Sequence, residues 1–286
     1  MQTQLNQYRA LEGCFAAIVT PLHSDGSLDI EALQRYVAHL VNNGIDGIVA
    51  CGTTAEALSL SLDEKIIILQ TCKDVLAGAK PLIAGVMSAS THACVQEIRA
   101  FNNIAPIDAY MCICPYFSRP YDDGIKQHFI MLAENAAAPI MLYNNPMRSA
   151  WNMSVDLIDE LALHNNITYI KECADDLIQR IQHFQMFKHI ATFSGLDQYA
   201  HKALHTGANG IISVLANIIP DISSISEQDW HDLLEILCTY TPLSMVKAFM
   251  ATKGIMQPYT RLPNIVAPYK NIQPMISYIK MRGLYE

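Results

Sequence analysis

The chain has 286 residues, 51% of them hydrophobic and 16% charged, with a formal net charge of −8. That balance fills a sizeable core and leaves apolar surface for a partner subunit. The negative charge and the lack of a basic stripe exclude nucleic acid as a partner. No apolar run reaches the roughly 18 residues of a bilayer span, so no membrane is implied. The polar start Met1-Gln2-Thr3-Gln4-Leu5-Asn6-Gln7 lacks the pattern of a signal peptide, and a cytoplasmic location is expected.

Strand-like and helix-like segments alternate. A first strand is predicted over 15–21, then a helix over 29–43 that stops at Gly44, a natural helix C-terminus. A second strand over 45–50 runs into Cys51-Gly52-Thr53-Thr54, and Ser61 with Glu64 forms a capping-box pattern opening a helix that ends at residue 76. Further strands are predicted over 81–86, 109–114, 139–143, 167–171, 191–194 and 210–215, with helices over 124–137, 155–163, 177–187 and 199–205. Eight strands alternating with helices predict the α/β class and a (β/α)8 TIM barrel rather than an open sheet. After Pro220 the rhythm stops, and helices over 228–239, 244–253 and 272–284 form a short C-terminal helical appendage. The expected division is a barrel over 1–217 and a helical region over 218–286, with no linker between them.

Lys171 ends the apolar run Ile167-Thr168-Tyr169-Ile170, which reads as a buried strand. A lysine there loses hydration, which disfavours its charged form and prepares the amine to form an imine with a carbonyl compound. Tyr143 ends a second such run, and Thr53 and Thr54 follow a third. Three strands ending in reactive or hydrogen-bonding groups point to one site at the shared end of a parallel barrel. Gly52-Thr53-Thr54-Ala55-Glu56 offers hydroxyls and backbone N–H groups for a small carboxylate, although threonines also cap helices. Arg148, just after Pro146, could fork a second carboxylate or be a solvated loop charge.

The eight cysteines form no C-x-x-C pair, and buried reduced thiols are expected over disulfides or zinc ligands. Cys51, directly before Gly52, is a candidate for oxidation, but nothing makes it a nucleophile. His201 and His205 are four apart on a helix with no carboxylate between them, so they read as surface or packing histidines, and no metal site is expected. Asp122-Asp123 and Asp175-Asp176 read as helix-start carboxylates.

Gly-Thr-Thr-x-Glu after strand two, Tyr-Asn-x-Pro-x-Arg after strand five and Ile-Lys-Glu at strand six resemble the dihydrodipicolinate synthase and N-acetylneuraminate lyase superfamily. The resemblance runs from about Gly13 to the C-terminus and includes Ala17-Ile18-Val19-Thr20-Pro21, Cys114-Pro115-Tyr116-Phe117-Ser118-Arg119-Pro120, Phe193-Ser194-Gly195 and Gly210-Ile211-Ile212-Ser213-Val214. It implies a pyruvate-dependent class I aldolase on a (β/α)8 barrel. Lys171 then matches the imine-forming lysine and Tyr143 the tyrosine that relays protons. Thr53 and Thr54 match the carboxylate-binding threonines, with Thr53 also in the relay. Arg148 matches the arginine that receives the carboxylate of aspartate semialdehyde, and Gly195 and Ile212 match positions lining the lysine pocket. The resemblance implies no metal or organic cofactor, pyruvate and aspartate semialdehyde as substrates, and a homodimer or homotetramer. Its synthase branch makes 4-hydroxy-tetrahydrodipicolinate on the route to diaminopimelate and lysine. Other branches act on sialic acid or 2-keto-3-deoxy sugar acids, and a keto-acid-binding barrel without turnover is a third reading.

Several positions depart from the synthase pattern. Phe117 stands where a second tyrosine completes the relay across a subunit contact, Ala55 replaces a glycine, and Cys173-Ala174-Asp175-Asp176 replaces a Thr/Ser-Gly pattern. The region between Asn217 and Lys247 is about one helix shorter than the family leads one to expect. Where lysine-sensitive synthases hold their inhibitor, this chain has Lys65, Ala89, Ala93 and Tyr116, so weak or absent feedback inhibition by lysine is expected.

Overall fold

The structure, a computed structural model, describes residues 10–104, 106–187 and 190–284. The polar start at residues 1–7, read as lacking a leader, lies outside them. Eight parallel strands follow one another around a closed barrel in sequence order. They are β1 (Gly13–Ala17), β2 (Gly47–Ala50), β3 (Leu82–Val86), β4 (Ala109–Ile113), β5 (Ile140–Asn144), β6 (Ile167–Glu172), β7 (Ala191–Ser194) and β8 (Gly210–Ser213). All residues of β2, β3, β4, β5 and β8 are buried, as expected of parallel strands covered on both faces. That continuous burial is why the strands read as apolar runs without alternation.

The chain forms two compact units, each described by itself. Of the described residues, one comprises 10–13 and those within 81–212. It holds β3 to β7 and nearly all of β8, with helices α3 (Thr91–Phe101), α4 (Asp122–Asn135), α5 (Pro146–Ser149), α6 (Val155–Leu161), α7 (Leu177–Phe187) and α8 (Ala200–Thr206). Helix α3 was not among the helices predicted. Its buried Cys94, Val95, Ile98 and Phe101 keep a helical spacing, but the polar residues between them weaken the apolar stripe. Asp122 and Asp123 occupy the first turn of α4, as expected of carboxylates at a helix start.

The other unit comprises residues 14–80 and 213–284. It holds β2 and nearly all of β1, with α1 (Ile30–Asn42), α2 (Leu62–Leu76), α9 (Glu227–Leu237), α10 (Pro242–Thr252) and α11 (Tyr269–Arg282). The Ser61–Glu64 capping box forms, with both reciprocal hydrogen bonds in place. Helix α10 is buried from Ser244 to Met250, which includes Lys247. A helix covered on every side has no solvated stripe to accept a charge, so Lys247 needs an internal partner.

All eight cysteines are free thiols; seven are buried, Cys51 among them, and Cys238 is exposed. Among the described residues no group of three or more His, Cys, Asp or Glu side chains is arranged to hold a metal ion, and no single helix is long and apolar enough to cross a membrane.

Candidate active site

Lys171 and Tyr143 are direct partners in the parallel register of β5 and β6. Side chains alternate along a strand, so these two share one face while their successors Asn144 and Glu172, also paired, share the other. Lys171 is 7% exposed and Tyr143 3%. The Lys171 ammonium position lies 4.6 Å from the centroid of the Tyr143 ring. The two residues singled out for nucleophile and proton relay therefore lie side by side and nearly buried.

Gly195, immediately after β7, makes that placement of Lys171 possible. A Cβ at this position would stand 2.3 Å from Cys173 Sγ and 2.6 Å from Lys171 Cε. Any side chain there would displace the lysine, which is the physical reason for glycine at this point. Ile212 lies buried in β8. Cys173, also against Gly195, is no rival nucleophile: burial pushes its thiol up to about 12, with the Lys171 charge pulling the other way. The Arg148 charge is also felt at Cys173, although the Arg148 side chain itself is exposed on the short helix α5.

A buried network on the opposite face holds the ends of the two strands together. Asn144 Nδ2 donates to both carboxylate oxygens of Glu172, at 2.8 and 3.0 Å. The same carboxylate accepts from the backbone N–H groups of Cys173 and Ala174, each at 2.8 Å. Arg180 Nη1 lies 3.5 Å from Glu172, and the Arg180 Nε donates to Asp176 at 2.7 Å. Burial pushes the Glu172 carboxyl up to about 7, while Arg180, the two backbone donors and Asn144 pull it down. Glu172, Asn144 and Arg180 were not foreseen as part of the site. The charged Glu172 inside an otherwise apolar strand was the one available signal.

Asn145 was also passed over. Its Nδ2 donates to the Tyr143 phenol oxygen at 3.1 Å, and its Oδ1 accepts from the Arg148 backbone N–H at 3.1 Å.

Thr53 and Thr54 lie in the other unit, in a short turn (Thr53–Ala55) that follows β2, and both are half-buried. Cys51 and Glu56 flank the turn in the left-handed region, with φ of 56° and 59°. The hydroxyl of Thr20 donates to the Ala55 carbonyl at 2.8 Å. Glu56 is gripped by Lys247, whose Nζ lies 2.5 Å from its carboxylate, and by the Arg261 backbone N–H at 2.8 Å. Lys247 also donates to the Tyr259 carbonyl at 2.7 Å. The turn that carries the threonines is thus held from behind by the C-terminal region.

Phe117 is 95% exposed with φ of 70°, and Ser118 N–H donates to the Tyr116 carbonyl across it. This tight three-residue turn is uncommon for a bulky residue and thrusts the ring outward. Tyr116 turns the other way, and its hydroxyl donates to the Met87 carbonyl at 3.2 Å.

The closed parallel barrel with its strand-end lysine and phenol has the architecture of a (β/α)8-barrel enzyme. The model of the dihydrodipicolinate synthetase family matches residues 10–276, and the chain belongs to that family, which makes it an enzyme of the lyase class. A 4-hydroxy-tetrahydrodipicolinate synthase of Methanosphaerula palustris is 34% identical over 241 residues, 81% of this chain and 82% of the relative. One from Streptococcus pneumoniae is 30% identical over 298 residues, 98% of this chain and 95% of the relative. The crystal structure of the chloride-inhibited dihydrodipicolinate synthase from Acinetobacter baumannii complexed with pyruvate matches with a TM-score of 0.88 and 29% identity, covering 96% of this chain and all of that one.

Proposed function

We propose that this enzyme condenses pyruvate with L-aspartate 4-semialdehyde to give 4-hydroxy-tetrahydrodipicolinate, through an imine on Lys171, in the biosynthesis of diaminopimelate and lysine. The observation that carries the reading is the buried pair of Lys171 and Tyr143 at facing register positions, with the nitrogen 4.6 Å from the ring centroid. The relatives' names support the reaction, and the pyruvate complex of the A. baumannii enzyme supports pyruvate as one substrate.

In this reading the Lys171 amine adds to the keto carbon of pyruvate, and loss of water gives the imine. Tyr143 carries protons to and from the departing oxygen. Loss of a methyl proton turns the imine into an enamine, whose carbon attacks the aldehyde. Thr53 and Thr54 hold the pyruvate carboxylate, which the order of motifs in the family supports. Gly195 and Ile212 shape the lysine pocket. No metal or organic cofactor takes part in these steps, and the assembly is a homodimer or homotetramer.

Arg148 reads the carboxylate of the second substrate. Its exposed position on α5 suits a group that meets an incoming molecule rather than one that supports the core. Arg148→Ala is expected to lower second-substrate efficiency by about one to two decades, the worth of a charged hydrogen bond, while leaving borohydride trapping of pyruvate nearly intact. Equal losses for both substrates would make Arg148 a structural residue. A condensation assay with a panel of aldehydes tests the reading as a whole. Turnover of sugar-acid aldehydes in preference to aspartate semialdehyde would replace it with another branch of the superfamily, and pyruvate trapping without any turnover would leave a keto-acid-binding barrel.

L-Lysine is expected to inhibit weakly or not at all. Of the residues that hold lysine in sensitive relatives only the tyrosine is kept, as Tyr116, while Lys65, Ala89 and Ala93 replace the others, and loss of a buried charge partner commonly costs several kcal/mol of binding. Inhibition at sub-millimolar lysine in the same assay would overturn this expectation.

A further inference from the structure

Asn145 sits directly between the residues assigned to the proton relay and to substrate reading. It is 9% exposed and is the N-cap of α5. Its Oδ1 meets the backbone N–H of Arg148, a donor that would repel the amide nitrogen at that place, which favours this orientation of the side-chain amide. That orientation points Nδ2 at the Tyr143 phenol oxygen, 3.1 Å away. An amide nitrogen only donates, so the phenol oxygen accepts and its own proton is directed away from Asn145. The backbone at this point is equally fixed. The Asn145 carbonyl accepts from the N–H of Arg148 at 3.1 Å and from the N–H and hydroxyl of Ser149, both at 2.9 Å. Pro146, in the first turn of α5, pre-sets the helical φ.

We propose that the Asn145 amide is a positioning residue for proton transfer at Lys171: it aims the Tyr143 hydroxyl and stabilises the phenol oxygen while that oxygen is without its proton. The proposal rests on the reading of Lys171 as the imine-forming lysine. A donor pointed at an atom that gains negative charge only during reaction is stronger in the transition state than in the resting enzyme. It therefore acts on turnover and leaves ground-state binding alone. The same four-residue stretch then couples two functions, because the Arg148 backbone fixes the amide while the Arg148 side chain faces outward.

The test separates the helix cap from the donor. Serine caps a helix as well as asparagine does but is too short to reach the phenol, so Asn145→Ser keeps the acceptor for Arg148 and loses the donor. Asn145→Asp also keeps the cap and presents only acceptors to the phenol. Both are expected to lower kcat for condensation by about ten- to hundredfold, the loss of one charge-assisted hydrogen bond, with KM for pyruvate within about twofold of wild type. Substituting 3-fluorotyrosine, with the Tyr143 resonance assigned by its absence in Tyr143→Phe, gives a readout apart from activity: that ¹⁹F resonance should move in Asn145→Ser. A wild-type kcat in both variants, a loss that falls on KM, or an unmoved resonance would each overturn the proposal. No pyruvate adduct in the wild type would overturn the imine reading itself. An adduct formed at the wild-type rate in both Asn145 variants would overturn the proposal alone.

Discussion

Pyruvate and borohydride added together are expected to label Lys171 and no other lysine, and Lys171→Arg is expected to abolish both the label and the condensation. Burial alone does not single this residue out, because Lys65 and Lys247 are buried too. Lys247 is occupied: its Nζ holds the Glu56 carboxylate and the Tyr259 carbonyl, and it cannot attack a carbonyl without breaking both contacts. Lys65 belongs to a helix, α2, rather than to a strand. Among the described lysines only Lys171 lies at the end of a strand beside a phenol, with Gly195 leaving room for its side chain. Arginine at this position stays protonated at working pH and cannot form the imine. Deleting a covalent nucleophile removes on the order of 10⁴-fold or more of turnover. Lys171→Met, close in size and uncharged, should match the loss while keeping the fold. Peptide mapping that places the adduct on Lys65 or Lys247 would sink the assignment.

The barrel was legible because each parallel strand is a short, mostly apolar run, and because Gly44 and the Ser61–Glu64 box mark helix ends. Helix α3 was not, since Gln96, Glu97 and Arg99 dilute its apolar stripe and leave no run to notice. The site divided in the same way. Lys171 and Tyr143 were visible because a polar group ending an apolar run conflicts with its surroundings, and such conflict marks function. Glu172 shows the same conflict but was absorbed into the lysine motif beside it. Asn145, Arg180 and Lys247 were hidden for a different reason: their meaning depends on partners distant in the chain or on side-chain direction. Asn145 looked like one of two asparagines in a turn, and only the Arg148 N–H reveals which way its amide points. Lys247 pairs with Glu56, 191 residues away, and no periodicity reports such a contact.

That pair carries the second large expected effect. Lys247 is wholly buried and the Glu56 side chain is 1% exposed. Burial draws the Lys247 ammonium below its ordinary range, and the Glu56 carboxylate pulls it back up. Replacing the pair by apolar residues could be nearly neutral, but removing one partner strands a buried charge, at about 3–5 kcal/mol. Lys247→Met should therefore lower the melting temperature by on the order of 10 °C. Lys247→Met combined with Glu56→Gln should recover much of that loss, because the stranded carboxylate is gone. The consequence for function follows from position. Glu56 stands two residues after Thr54 at the end of the threonine turn, in a left-handed conformation that its side-chain contacts help to hold. Release of the carboxylate frees the turn that presents Thr53 and Thr54, so KM for pyruvate should rise in Lys247→Met even well below its melting temperature. The double variant should keep a raised KM despite its recovered stability, since a neutral glutamine has lost the ionic grip of Lys247. A KM that returned to the wild-type value along with the melting temperature would mean that the pair stabilises the fold and does nothing to set the threonines.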